Sequence, residues 1–106
     1  MELSIECARM CAHEVMDLVR ESIVILDEEL HILFANTSFC RHFRIDKGTV
    51  EGRSIYQTSA GGWDFPDLHH VLDKVRLEGQ ERSEIAVYQH FPGIGKRHLL
   101  LKVART

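Results

Sequence analysis

Two hydrophobic periods alternate along this chain, and each predicts a different kind of element. Ile23-Val24-Ile25-Leu26 is a β-branched run, and Leu30 to Ala35 is a second apolar stretch. The acidic residues Asp27-Glu28-Glu29 separate the two, so the pair reads as a hairpin. Further on, Ile85, Val87, Gln89 and Phe91 alternate with Glu84, Ala86, Tyr88 and His90. Leu99, Leu101 and Val103 repeat that period between Arg97 and Ala104, after a turn at Pro92-Gly93-Ile94-Gly95. The longer period appears at Leu68, Val71, Leu72 and Val75, which share one side of a helix over residues 65–78 stopped by Gly79. Residues 3–20 also read as a helix, because Ala8, Cys11, Val15 and Leu18 fall at a, d, a, d spacing with no Gly or Pro between them. Such a stripe can pack on its own domain or on the same helix of a second subunit, and two heptads are too short to stand alone, so a partner or a continuing helix is implied. A short helix carrying Phe39, Cys40 and Phe43 follows Asn36, capped by Thr37 or Ser38 and ended by Lys47-Gly48. A further helical turn is expected between Val50 and Tyr56, around Gly52. The order predicts an α+β domain: an antiparallel sheet with helices on one face, preceded by an amphipathic helix.

Composition narrows the function more than the fold. The chain has 106 residues, enough for one small domain, and 44% hydrophobic with 27% charged residues is the balance of a globular protein. A net charge of −3 with no basic run leaves nucleic acid without an electrostatic footprint. The longest apolar runs are too short to span a bilayer, and no charged-then-apolar leader opens the chain, so a cytoplasmic location is expected. Three cysteines without a dense framework suit a reducing compartment.

Several segments together resemble a PAS domain. IVILD (Ile23 to Asp27) is similar to the family's opening strand ending in Asp, and ILFANTSF (Ile32 to Phe39) to a second strand closing on Ala-Asn with a nearby Phe. EGRSIYQ (Glu51 to Gln57) matches the Gly-Arg pair that opens a short helix. WDFPDLHHVLDKV and HFPGIGKRHLLL resemble PAS modules of bacterial two-component and chemotaxis proteins, including histidine kinases. The resemblance runs from about residue 18 to the end, which divides the chain into an N-terminal dimerisation or signalling helix (1–20) and the PAS domain (21–106). It implies a sensory or dimerisation module that regulates an attached output domain, either by taking a small ligand between sheet and long helix or as a ligand-free scaffold. The pocket lining it implies is Leu26, Phe34, Phe39, Phe43, Val71, Val75, Val87 and Leu99, residues that equally make an ordinary core. One feature departs from the family. A PAS sheet has five strands, the last lying in its middle, whereas four are counted here and the sequence ends at Thr106. The domain is therefore expected to be C-terminally incomplete, with the missing strand cut off or supplied by a partner. Unpaired edges beside such a gap invite pairing between chains, so a homodimer is expected, domain-swapped or edge-paired.

Other chemistries find less support. Haem-binding PAS sensors use a histidine facing the sheet from the long helix, which directs attention to His69 and His70. On a wheel of about 100° per residue, these sit roughly 110° and 150° from the centre of the apolar face, so neither aims at the core. Light-sensing relatives carry a reactive Cys on a helix over flavin, but Cys40 lies on the earlier helix between phenylalanines and reads as a small hydrophobe. Haem and flavin are thus not expected, and no cofactor is predicted. Cys7, Cys11 and His13 lack zinc-finger spacing and fit the helical seam better. His90 and His98 sit on neighbouring strands and could face each other across the hairpin, with exposed cross-strand histidines as the default reading. No nucleophile elbow or phosphate loop is present, so the segment is not expected to be an enzyme. Within SAGGWDFPDLHHVL (Ser59 to Leu72), Asp64 is expected to cap the long helix, and Trp63 to close one end of the core or to meet a dimer partner.

Overall fold

The computed structural model describes residues 1–7 and 22–105. Its strands are β1 (Glu2–Cys7), β2 (Ser22–Leu26), β3 (Ile32–Ala35), β4 (Arg82–Phe91) and β5 (Gly95–Ala104). They form one antiparallel sheet in the order β3-β2-β1-β5-β4. Between β3 and β4 come α1 (Thr37–His42), α2 (Lys47–Val50), 3-10 turns at Ile55–Gln57 and Ser59–Gly61, and the long helix α3 (Pro66–Arg76).

The sheet corrects the strand count made from the sequence. Its central position is not empty: β1 fills it, with Leu3 opposite both Val24 of β2 and Val103 of β5. Residues 3–7, read above as the start of a helix, are therefore strand. The physical reason lies in the sequence itself. Leu3 and Ile5 alternate with Glu2, Ser4 and Glu6, a period of two, and both are buried while the two acids are half-buried on the other face. With no Gly or Pro between them, the heptad spacing that begins at Ala8 masked the change of period. The seam residues Ala8, Cys11, Val15 and Leu18 lie outside the described residues.

Local chemistry fixes the remaining elements. Asp27 closes the β2–β3 turn as an Asx turn, its Oδ1 accepting from the backbone of Glu29 and His31, both at 2.9 Å. Asn36, rather than Thr37 or Ser38, caps α1, and its Oδ1 also accepts from Ile23 N at 3.0 Å, which ties the helix start to β2. Asp46 caps α2 through Gly48 N, so Lys47-Gly48 opens a second helix instead of ending the first. Backbone bonds from Ile32 N to Arg53 O and from Gly52 N to Ile32 O lay residues 52–53 along the outer edge of β3, covering it. Pro66 stands in the first turn of α3, Asp67 lies at its positive end, and Lys74 and Arg76 lie at its negative end. The expected Asp64 cap is absent: the N-cap is Phe65, without a side-chain bond, and Asp64 turns to His69 instead.

The helices pack on one face of the sheet over a single hydrophobic cluster. Leu68, Val71, Leu72 and Val75 of α3 share this cluster with Leu3 and Ile5 of β1 and with Leu99, Leu101 and Val103 of β5, all buried. Phe34 is the exception among the expected core residues. The register shifts between Ile25 and Leu26, which leaves Leu33 and Phe34 both outside, Phe34 being 42% exposed.

Candidate functional site

The interior between sheet and helices is filled mainly by rings. Trp63, Phe39 and Phe91 are fully enclosed, and Phe43 and Phe65 nearly so. Trp63 meets Phe43 edge-on at 4.8 Å between centroids and Phe91 at 4.8 Å, while Phe43 packs against Phe39 and Phe91 at 5.2 Å each. Tilted and edge-on contacts at these separations each add about 0.5–1.5 kcal/mol beyond area burial. Trp63 thus closes one end of the core, as its place in the sequence suggested, and its Nε1–H is buried without a partner.

A cleft of about 440 Å³ opens beside this aromatic cluster, lined by Phe43, Arg44, Asp46, Ser59, Pro92, Gly93 and their neighbours. Its wall concentrates left-handed backbone. Arg44 has φ 52°, Ser59 and Ala60 both have φ 53°, and Gly93 has φ 77°. For residues with a Cβ this conformation costs about 1–2 kcal/mol each, and such strain gathers where a fold must hold a particular surface. Arg44 Nη1 reaches Gly93 O at 3.4 Å across the cleft, and the Ser59 hydroxyl is buried without a partner. Gly62 approaches so closely that an added Cβ would meet Pro92 Cδ at 2.9 Å and Phe91 Cδ1 at 3.1 Å. That is why a glycine stands there, although its φ of −63° lies in the ordinary right-handed region. Sequence reasoning missed this wall. The Ser-Ala-Gly-Gly run hinted at unusual backbone, but nothing singled out Arg44.

At the opposite end, a cleft of about 770 Å³ lies among Met1, Leu26, Asp27, Glu28, Val75, Arg76 and Arg105. Here β1, β2, β5 and α3 converge. Met1 N donates to Leu26 O at 2.8 Å, Arg76 Nη1 to Glu28 O at 3.4 Å, and Arg105 Nη2 to Val75 O at 3.2 Å. Backbone donation from His31 holds the Asp27 carboxyl below its usual value, helped by donation from Glu29 and by the nearby imidazole, against some desolvation.

The residues expected to line one pocket therefore divide. Leu26 and Val75 floor the larger cleft and Phe43 the smaller. Phe39, Val71, Val87 and Leu99 are buried in the core between them, and Phe34 lies outside. The histidines turn away from the core. His69 bonds Asp64 Oδ1 through Nε2 at 2.7 Å and stacks on Tyr56 at 3.9 Å, and His70 is exposed. Desolvation, reinforced by the charge of Asp73, pushes the Tyr56 phenol up to about 12, and its hydroxyl is buried without a partner. His98 stands opposite Tyr88, with ring centroids 4.1 Å apart, and His90 opposite Lys96. Among the described residues, no three His, Cys, Asp or Glu side chains are grouped to hold a metal ion, and no helix is long and apolar enough to cross a membrane.

Comparison with the curated proteins and with the solved structures gives no significant match. Comparison with protein families matches residues 16–105 to the PAS fold. That span holds β2 to β5 and every described helix, and it leaves out β1. Helices gathered on one face of a five-stranded antiparallel sheet agree with it, and the chain belongs to the PAS fold family, whose members are sensory and signalling modules without catalysis of their own.

Proposed function

We propose that this PAS module is a sensory and dimerisation unit that regulates an attached output domain of the histidine-kinase or chemotaxis type in bacterial signal transduction. The observation that most supports this reading is the position of β1. Its Leu3 and Ile5 share one buried cluster with Leu68, Leu72 and Val75 of α3, and its backbone is paired on both sides. A shift of α3 against the sheet therefore reaches β1, the strand from which residues 8–21 depart, through β5, on which α3 packs and with which β1 pairs. The input is a small ligand entering at the cleft beside Phe43, where the Arg44 guanidinium supplies a polar contact. Such a ligand acts only by preferring one sheet–helix packing over another. The dense aromatic core favours a second reading, a ligand-free scaffold whose only task is to pair two output domains.

Light scattering and native mass spectrometry of the purified chain test both. A colourless dimer is expected, with an added small-molecule mass under the first reading and none under the second. A chain that stays monomeric up to millimolar concentration contradicts the dimerisation common to both. A visible absorption band would instead revive a haem or flavin sensor.

A further inference from the structure

We infer that β1 is an exchangeable strand, and that two copies of this chain dimerise by trading it. The inference rests on the dimerisation reading above and names its structural means. Among the described residues, β1 is the one strand outside the span matched to the PAS fold, yet it occupies the middle of the sheet. The matched segment alone therefore presents an open slot between β2 and β5, with backbone donors and acceptors unpaired on both sides. The connection is long for the gap it bridges. Ile5 stands opposite Ser22, so the facing ends of β1 and β2 are adjacent, and hairpin strands in that relation are ordinarily joined by 2–5 residues. Here residues 8–21 join them. Fully extended, at about 3.3–3.6 Å per residue, a link of that length reaches at most roughly 46–50 Å. This exceeds the 39 Å longest dimension of the molecule, so β1 can arrive at the slot of a neighbouring copy.

Exchange changes no register. Leu3 still faces Val24 and Val103, and Lys102 Nζ still reaches Glu6 Oε1 at 3.0 Å, but across the two chains. Monomer and dimer therefore differ in how the link closes and in the cost of association, which is why exchanging an identical element between copies is a low-cost route to a dimer.

Two directly opposed residues test the exchange. With Cys7, Cys11 and Cys40 replaced by Ala, the pair Glu2→Cys and Ala104→Cys sits at facing positions of β1 and β5. A Cα separation of about 4.5–5.5 Å suits a disulfide. The dimer fraction from size exclusion is oxidised and run on a denaturing gel without reductant. Exchange predicts covalent dimers in at least tenfold excess over internally bridged monomers. A dimer whose bridges are internal overturns exchange while leaving dimerisation intact, whereas a chain that is monomeric throughout overturns both. The unaltered chain gives an independent reading if the substituted one folds poorly. In dimers refolded from mixed isotope-labelled and unlabelled chains, filtered NOEs between Leu3 and Val103 across chains support exchange, and their absence overturns it.

Discussion

β1 and β4 both pair antiparallel with β5, on its two sides, and they belong to the sheet in different ways. β4 is an edge strand joined to β5 by a tight turn, in register from Phe91 opposite Gly95 to Arg82 opposite Ala104. Its pairing closes locally and costs little loop entropy. β1 is shorter and central, bonded on two sides, and connected to its nearer neighbour in sequence only through residues 8–21. The hairpin is thus bound by its connection, whereas β1 is bound by what it buries and pairs with. Such a strand is at once the one the sheet most needs and the one another copy can replace.

Removing β1 sharpens that contrast most. Deleting residues 1–7 takes away Leu3 and Ile5 and leaves β2 and β5 with facing unpaired edges. The expected loss is on the order of the whole 5–15 kcal/mol of a small domain, read as the disappearance of a cooperative urea transition. A truncated chain that unfolds with the parent's midpoint would break the comparison.

A matched pair of substitutions comes next. Ile5 in β1 is 3% exposed, and Ile85 in β4 is only half-buried. Ile5→Ala is expected to cost about 2–5 kcal/mol. Ile85→Ala is expected to cost roughly 1–2 kcal/mol, since part of that side chain is already in water. Equal losses in urea titrations would mean that central and edge strands are not distinguished by burial.

Gly62→Ala probes how the hairpin is locked. The added methyl meets Pro92, Phe91 and the Ser59 carbonyl at 2.9–3.1 Å, so overpacking of about 1–3 kcal/mol is expected, with the Trp63 fluorescence disturbed. A neutral substitution would show that the 59–62 segment and the hairpin turn move apart without cost.

The smallest effect is electrostatic and lies at the β2–β3 turn, beside the N-terminus of β1. The Asp27 pKa is lowered in the fold, so its contribution is present above the ordinary carboxylate value and is lost as pH falls through the folded-state value. Asp27→Asn should therefore flatten the dependence of the urea midpoint on pH below about 4. An unchanged acid limb would assign that dependence to other carboxylates.

Much of this fold was legible because its periods are clean. The β-branched run at Ile23–Leu26, the alternation at Ile85–Phe91 and Leu99–Val103, and the apolar face of α3 all sit where their spacing placed them. The sidedness of His69 and His70 followed from helix geometry alone. What escaped depended on competition between signals or on distance. At Leu3–Cys7 a short period of two ran unbroken into a heptad stripe, and the longer pattern won. Phe34 left the core through a register shift that no single-strand pattern reveals. Asp64 had a helix end and an imidazole within reach, and it took the imidazole. The smaller cleft unites residues from 43 to 94 through left-handed backbone at Arg44, Ser59 and Ala60, side chains that carry no advance sign of that conformation.

Cross-strand NOEs measured on the folded chain test whether β1 is paired on both sides in the middle of the sheet. With β1 central, Leu3 is expected to show contacts to Val24 and to Val103 together, with slow amide exchange along residues 3–6. Contacts to neither partner, with freely exchanging β1 amides, would contradict it.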